Sequence, residues 1–393
     1  MNILMLAPHD FYIDRGTPMD VDILVRALSG REHRVDLLVY ARGADRSYPG
    51  VTIHRARAPR WLHPRGPGFS IRKLLTNLWF FATARRLARD NSYDVVHAGE
   101  EAAFMAMWLK WRRDLPYVYD MDSSVAQQTI EKLPWLRLLS PVFAWFERRA
   151  IRGAVAAAPV CNALADLAHA SGAVHVETLH DISQLPPHPA DTAGALRREL
   201  GIEGPVLMYV GNFQKYQGVD LLLRAFQVAV ERGCEAHLVL AGGSDRHITA
   251  YRRKAGRLGL AGRAHFIGHW PAERLGELLA EADVVTSPRI RGVNTPMKVF
   301  PYMHSGRTLL ATDLPTHSQI LTSEVARLAP PEPEAFGRAI VELMNDKALR
   351  ERLGRAGREF VEREHVYDAH QRRVDELYRY VESRLTTNGA GGA

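Results

Sequence analysis

The chain has 393 residues, which is long for a single hydrophobic core and suits two domains of ordinary size. A net charge of +7 favours anionic partners such as phosphates, acidic membranes or nucleic acid. The sequence has neither zinc-ligand cysteine pairs nor a basic region leading into heptads, so we expect no nucleic-acid partner. Cys161 and Cys234 stand alone, which excludes a disulfide framework and a structural zinc site and fits a reducing cytosol.

The opening segment MNILMLAPHD predicts a short strand, without the basic start of a signal peptide. No apolar run in the sequence approaches the roughly 20 residues of a membrane span. We therefore expect a cytoplasmic protein, and any membrane contact must be peripheral.

The first elements resemble the start of a nucleotide-binding fold. A strand over residues 3–7 precedes a loop that carries Gly16, and residues 21–30 predict an amphipathic helix before the strand RVDLLVYA. The loop lacks the dinucleotide pattern GxGxxG, so we predict no NAD cofactor. Gly16 either lets the backbone approach a ligand phosphate or is a plain turn glycine.

Two segments of the first half mix Arg with Trp and Phe. They cover residues 55–89 and 133–152, and each includes a candidate basic amphipathic helix. Such helices lie on an acidic membrane surface in some proteins, and in others they pack their apolar face on their own sheet. Both interpretations stay open at the level of the sequence.

Asp120 and Asp122 come at the end of the predicted strand in LPYVYDMDSS. Paired aspartates after a strand are typical of metal sites, but no further carboxylate cluster is visible nearby, so we predict no metal. Asp122 then either caps a helix or contacts a ligand.

The second half repeats the alternation of strands and helices after a proline-rich linker. One strand ends at Gly211 and another at Gly242 and Gly243, which places the predicted ligand crevice at that edge of the sheet. The stretch from Ser287 to Asp313 predicts strand, loop, helix and strand, with Asn294, Thr295 and Lys298 beside the amino end of the helix. This is a favourable place for an anion. A solvated loop with a lysine on an exposed helix face would have the same sequence pattern.

The order of these motifs resembles the family 4 retaining glycosyltransferases. The marks are RGTP, VGNFQKYQGVDLLLRAF, HLVLAGG, FIGHW, LLAEADVVTSP and the stretch through MHSGRTLLATD, and they span nearly the whole chain. The resemblance implies an α/β GT-B fold, with two facing Rossmann-like domains and a cleft between their parallel sheets. It implies an acceptor domain over residues 1–185, a linker over 186–204, and a nucleotide-sugar domain over 205–365. A final helix over 366–385 is expected to rejoin the first domain.

This chain departs from the family at several binding positions. Asn212 and Gln217 stand where the family has an Arg and a Lys that grip the donor diphosphate, with Lys215 nearby as a substitute. The paired glutamates fall on Val293 and Pro301. We interpret these changes as a divergent subfamily.

The resemblance implies a hexosyltransferase that moves a sugar with retention from a nucleotide-sugar to a saccharide or lipid-linked acceptor, in glycan or polysaccharide biosynthesis. Such a transfer needs fixed N–H donors and cations to stabilise the leaving phosphate, but neither metal nor cofactor. Asp122, Lys215 and Lys298 are the predicted catalytic residues, with Asp122 polarising a hydroxyl. The predicted donor-binding residues are Gly16, Thr17, Gly211, Asn212, Gln217, Gly218, Gly242, Gly243, Arg289, Asn294 and Thr295.

Two other functions stay open. One is a catalytically silent binding protein with the shape of a glycosyltransferase, which the lost basic and acidic pairs would explain. The other is a phosphorylase or epimerase on the same fold, although the sequence shows no cofactor lysine or second anion site for a phosphorylase. The expected location is cytoplasmic, with contact to an anionic membrane surface as the open alternative.

Overall fold

The computed structural model describes residues 1–13, 16–31, 33–62, 71–126, 129, 134–185 and 194–390. Contacts divide the chain into two compact units. The first comprises Met1–Asp181 and Asp368–Ala393, and the second comprises Ile182–Tyr367. No helix among the described residues has both the length and the hydropathy to cross a bilayer.

The first unit contains a six-stranded parallel sheet in the order β3-β2-β1-β4-β5-β6. Its strands are β1 (Asn2–Leu6), β2 (Arg34–Tyr40), β3 (Val51–Ala56), β4 (Val95–Gly99), β5 (Tyr117–Met121) and β6 (Ala156–Pro159). Their runs of buried Val, Leu, Ile and Ala are typical of parallel strands covered on both faces.

Helices cover both faces of this sheet. They are α1 (Gly16–Ser29), α2 (Ile71–Asp90), α3 (Ala102–Arg113), α4 (Ser140–Gly153), α5 (Asn162–Ala170) and, from the end of the chain, α14 (Tyr367–Ala390), with 3-10 turns at Arg60–Leu62 and Pro134–Leu139. Side chains of a strand alternate between faces, so Leu4 and Leu6 lie in the core under α2, α3 and α4, while Ile3 and Met5 lie in the core under α1 and α14. The predicted final helix therefore belongs to the first unit, and it ends at Ala390 rather than 385.

The second unit repeats the design with the order β12-β11-β10-β7-β8-β9. Its strands, all parallel, are β7 (Val206–Val210), β8 (His237–Ala241), β9 (Ala264–Gly268), β10 (Val284–Ser287), β11 (Thr308–Thr312) and β12 (Arg327–Ala329). The helices are α6 (Ala195–Leu200), α7 (Val219–Glu231), α8 (Asp245–Arg257), α9 (Leu275–Ala280), α10 (Val299–His304), α11 (Pro315–Ser318), α12 (Pro333–Asn345) and α13 (Lys347–Glu364), with 3-10 turns at Lys215–Gln217 and Ala272–Arg274.

Both sheets have the doubly wound order of a Rossmann fold. Counted within each unit, the strands run 3-2-1-4-5-6. The order reverses between β1 and β4 in the first unit and between β7 and β10 in the second. Ligands of such sheets bind outside the carboxyl ends of the strands at that reversal, so each unit has one expected site.

Candidate active site

The carboxyl ends of β7 and β10 bring most of the predicted donor-binding residues together. Gly211 follows β7, and Arg289 follows β10 after a single proline. Lys298 precedes α10, and a Cβ atom on Gly211 would lie 2.6 Å from its Nζ atom. The residues that the sequence placed in separate loops are therefore neighbours at the strand-order reversal of the second sheet.

Lys298 is held by Gln217, a predicted donor-binding residue, and by Tyr209, which the sequence did not suggest. Its ammonium donates to the Tyr209 hydroxyl at 3.1 Å and to Gln217 Oε1 at 3.1 Å, and it lies 4.2 Å from the centre of the Tyr209 ring. Burial, reinforced by the positive Arg289, lowers the pKa of Lys298 to about 7. The alternative of a solvated lysine on an exposed helix face is wrong, because the side chain turns inward onto Tyr209.

Arg289 shapes the loop that follows β10. Its Nε donates to the carbonyl of Arg291 at 2.8 Å, and its Nη1 donates to the carbonyl of Asn294 at 3.2 Å. The guanidinium carbon lies 5.3 Å from the centre of the Tyr216 ring. The structure thus brings two like charges, Arg289 and Lys298, to one sheet edge, where an anion would relieve their repulsion.

A buried histidine that the sequence did not single out supports the same loop. His317 is fully buried, with Nε2 2.9 Å from the Ser287 hydroxyl and Nδ1 3.0 Å from the carbonyl of Thr312. Burial and the nearby Arg289 lower the pKa of His317 to about 3, so the ring is neutral. The Thr316 hydroxyl donates to the carbonyl of Asn294 at 2.6 Å, which fixes the far end of the loop. No short motif marks His317, since its partners come from other strands.

Packing explains three of the predicted glycines. Gly218 has a φ of 76°, and a Cβ atom there would lie 1.8 Å from the carbonyl oxygen of Pro288. A Cβ atom on Gly242 would lie 2.2 Å from the carbonyl oxygen of Gly211. Both glycines therefore allow backbone segments of the site to touch, and a Cβ on Gly243 would likewise meet the ring of Phe213.

The remaining predicted residues of this edge differ in exposure. The side chains of Lys215 and Asn212 are exposed, and Asn212 Oδ1 accepts from the backbone N–H of Gln214 at 3.1 Å. Gln217 is buried, and its amide oxygen accepts a hydrogen bond from Lys298. Thr295 is also buried, and its hydroxyl has no hydrogen-bond partner among the described residues.

The first unit places Asp122 in a cluster of carboxyl groups beyond the end of β5. Burial, with the charges of Asp120, Glu100 and Asp181, raises the pKa of Asp122 well above its usual value. Burial and the charge of Asp181 likewise raise the pKa of Asp20, which also hydrogen-bonds to Asp181. Burial raises the pKa of Asp181 to about 7.

The expectation that no further carboxylates lie near Asp122 is therefore wrong. Asp20 comes from α1 and Asp181 from the end of the first unit, so only the fold brings them to β5. No group of three His, Cys, Asp or Glu within the described parts of the chain is arranged to hold a metal ion. Gly16 and Thr17 begin α1 in the same unit.

A second charged group, also missed in the sequence, lies at the strand-order reversal of the first sheet. Lys73 from α2 reaches Glu100 Oε2 at 3.1 Å and Glu101 Oε1 at 2.7 Å, just after β4. His9 follows β1, and burial lowers its pKa against the opposing charge of Glu100. Among the described residues, His9 Nε2 is buried without a hydrogen-bond partner. Both units thus present polar groups at the expected ligand edge.

Comparison with known proteins agrees with this architecture. The family model "Glycosyl transferases group 1" matches residues 204–346, and "Glycosyl transferase 4-like domain" matches residues 16–180. The phosphatidyl-myo-inositol mannosyltransferase of Mycobacterium leprae is 26% identical over 367 residues, which cover 92% of each chain.

Two solved structures show the same fold. Sucrose-phosphate synthase from Thermosynechococcus elongatus superposes with a TM-score of 0.76 at 18% identity, over 98% of this chain and 99% of that one. Anabaena HepE in complex with UDP superposes with a TM-score of 0.73 at 15% identity, over 96% of this chain and 100% of that one.

Two Rossmann-like units with these neighbours define the GT-B class of fold, as the sequence predicted. The chain belongs to the family 4 glycosyltransferases and is an enzyme of sugar transfer in glycan biosynthesis. This confirms the predicted family and the predicted sugar transfer. The relatives are transferases, so the alternative of a silent binding protein is not favoured.

Proposed function

We propose that the enzyme takes a nucleotide-sugar donor and holds its diphosphate between residues 211–218 and 294–298. The observation that carries this proposal is the meeting of Lys298 and Arg289 beside Gly211. Two cations at the carboxyl edge of a doubly wound sheet make a favourable site for a diphosphate. They replace the basic pair that the family carries at positions 212 and 217. HepE, which shares the fold, was solved with UDP.

The proposed reaction proceeds with retention and needs neither metal nor cofactor. Lys298 and Arg289 stabilise the charge that develops on the leaving phosphate, and the exposed Lys215 adds a third cation nearby. The departing phosphate oxygen takes the proton of the acceptor hydroxyl, so no separate base is required. Asn212, Gln217, Asn294 and Thr295 complete the donor loops of the second unit.

We place the acceptor, a saccharide or lipid-linked sugar, against the first unit. Burial and the neighbouring carboxylates raise the pKa of Asp122, which favours its protonated form, and a protonated carboxyl can donate a hydrogen bond to a sugar oxygen. Asp20 and Asp181 offer further oxygens of the same cluster. Hydroxyl-rich ligands suit such a mixture of donors and acceptors.

Replacing Lys298 tests the donor site. Lys298→Ala removes a charged hydrogen-bond donor, so the Kd for a bound nucleotide-sugar should rise by about tenfold or more. Isothermal titration with UDP-, GDP- and ADP-sugars measures this, and Lys347→Ala, an exposed lysine of α13, is the control. Because Lys298 packs on Tyr209, the melting temperature of the variant without ligand must be measured too. An unchanged Kd would show that Lys298 does not contribute to donor binding.

We also propose peripheral contact of the first unit with an anionic membrane, at the inner face of the cell membrane. The structure exposes Leu74 and Leu78 on α2 and Trp145 and Phe146 on α4, although these helices also pack on their own sheet. Packing on the sheet therefore accounts for the inner faces of α2 and α4 but not for these exposed side chains. Exposed apolar side chains beside arginines are typical of helices that lie in a membrane interface.

Co-sedimentation with vesicles tests this contact. The protein should pellet with phosphatidylglycerol-containing vesicles at low salt, and less at high salt, because salt screens the attraction. Phosphatidylcholine vesicles are the control. Equal, negligible pelleting with both lipids at low salt would contradict the membrane contact and leave a soluble acceptor.

A further inference from the structure

A groove between α3 and α4 carries the strongest unassigned chemistry in the first unit. Its volume is about 450 Å³, and its walls include Trp111 of α3 and Trp145 of α4. Lys110, Arg148, Arg149 and Arg152 line the same groove. We propose that this groove binds the anionic head group of a membrane phospholipid. The proposal rests on the membrane contact proposed above and names the site that makes it.

The two tryptophans give the groove an apolar rim that faces outward. Trp111 is 76% exposed and Trp145 is 54% exposed, which is unusual for so large an apolar side chain. Arg149 lies 5.8 Å from the centre of the Trp145 ring, and Arg112 lies 5.5 Å from that of Trp111. Paired Trp and Arg side chains suit the boundary between acyl chains and head groups.

The floor of the groove is fixed by hydrogen bonds. The Tyr117 hydroxyl donates to the carbonyl of Ala150 at 2.6 Å, and Lys110 Nζ donates to the carbonyl of Gly153 at 2.8 Å. Arg152 Nε donates to the carbonyl of Ser171 at 2.8 Å. A Cβ atom on Gly153 would lie 2.7 Å from the Tyr117 hydroxyl, so the glycine allows Tyr117 to pack closely against the floor. The groove is therefore built into the packing of α3 and α4.

The charge of the groove exceeds what helix capping requires. The carboxyl ends of α3 and α4 each carry about half a negative charge, which Lys110 and Arg152 already offset. Arg148 and Arg149 add two exposed positive charges, and no carboxylate is present among the described residues that line the groove. A surplus of cations next to apolar side chains matches the phosphate and upper acyl chain of an anionic lipid.

The groove is separate from the candidate active site. Tyr117 is the first residue of β5, whereas Asp122 follows its last residue, and five strand residues span about 17 Å. α3 contacts both α2 and α4, so the groove shares one helical layer with the exposed leucines of α2. A lipid in the groove would thus hold that layer on the membrane without occupying the acceptor edge.

Charge reversal tests the groove directly. R148E/R149E should lower the affinity for phosphatidylglycerol vesicles by at least about tenfold, since each cation near an anionic surface contributes to binding. R372E/R379E makes the same change in net charge at exposed positions of α14, on the opposite face of the sheet, and should bind nearly as the wild type does. Thermal shift with a nucleotide-sugar confirms that both variants fold and reports the donor site independently.

A depth measurement locates the contact. Phosphatidylglycerol with brominated acyl chains should quench tryptophan emission in the wild type, and W111F/W145F should lose most of that quenching. W270F, in the second unit, is the control. Equal vesicle affinity of R148E/R149E and wild type would overturn the proposal that the groove binds lipid. The membrane contact would then be assigned to α2. A wild type that binds no vesicles would overturn both, and the donor site would still be judged by nucleotide binding.

Discussion

Lys298 makes structural contacts with the same side chain that we propose binds the donor diphosphate. Its contacts with Tyr209 and Gln217 hold the ammonium in a half-buried position beside Gly211. Burial and Arg289 lower its pKa to about 7, so near neutral pH the empty site holds a mixture of amine and ammonium. A bound diphosphate would raise this pKa again, because an anion favours the charged form.

Donor affinity should therefore depend on pH. Below about pH 7, Lys298 is already protonated and binding takes up no proton. Above that pH, binding must take up a proton, so affinity should fall by up to about tenfold per pH unit. Titration calorimetry with a nucleotide diphosphate from about pH 6 to about pH 9 measures this. Lys298→Gln should flatten the profile, and a wild-type profile as flat as that of the variant would contradict the proposed proton uptake.

Asp181 predicts a pH effect on stability. Its pKa is raised from 3.8 to about 7 in the folded protein, mainly by burial. A group whose pKa is raised by folding stabilises the native state. This stabilisation is fully present below the pKa of the unfolded state and is lost as the pH rises through the pKa of the folded state. Between about pH 4 and about pH 7 the native state holds a proton that the unfolded state releases, so the free energy of unfolding should fall with pH by up to about 1.4 kcal/mol per unit.

Asp181→Asn should reduce this slope. The amide cannot release a proton and still accepts a hydrogen bond from Asp20, while the charge that raises the pKa of Asp20 is removed. Urea unfolding of both proteins at several pH values gives the comparison. Parallel curves for wild type and variant would show that Asp181 does not titrate in this range.

At the scale of elements, the turn Lys215–Gln217 sits directly against the end of β10. The backbone N–H of Ile290 donates to the carbonyl of Tyr216 at 2.9 Å, and Gly218 allows contact with Pro288. This contact joins the loop after β7 to the loop after β10. The donor loops therefore depend on each other for their positions.

Gly218→Ala tests that dependence against a matched control. Gly218 and Gly233 both have positive φ, at 76° and 83°, but a Cβ on Gly233 meets nothing within 4 Å. Gly233→Ala should cost only the backbone strain, about 1 kcal/mol, whereas Gly218→Ala should cost more, because the Pro288 backbone must move. Urea unfolding measures both. Equal losses would show that the turn yields without disturbing β10.

On the scale of the whole molecule, α14 completes the first unit from the far end of the chain. Val374, Leu377, Tyr378 and Val381 are buried under the first sheet, and the Tyr378 hydroxyl lies 2.8 Å from His97 Nδ1. The last helix, together with α1, therefore covers one face of the first sheet.

Leu377→Ala should destabilise the first unit by about 2–5 kcal/mol, since it leaves a cavity in that core. Hydrogen exchange should show faster exchange for amides of β1 and β2, with amides of β7 and β8 unchanged. Leu349→Ala, in α13 of the second unit, should show the reverse pattern. Equal effects on both sheets would mean that the units do not unfold separately.

The sequence predicted the elements whose signals are local. Buried strands such as β7 and β10 are followed directly by glycine or proline, so the sequence predicted the sheet edge that carries Gly211 and Arg289. Strands β3 and β12 were not predicted. The basic residues of β3 interrupt its apolar pattern, and β12 has only three residues. The linker prediction falls partly on 186–193, outside the described residues.

By itself, the sequence determined the α/β class, because strand and helix periods are local properties of the chain. The resemblance of its ordered loop motifs to a known family then indicated the GT-B fold and the family. Only the tertiary structure decided which side chains meet. Asp20, Asp122 and Asp181 come from three separate segments, and so do Lys298, Gln217 and Tyr209. The pKa values of Lys298 and Asp181 follow from those meetings, since burial and neighbouring charge are properties of the fold and not of the residue.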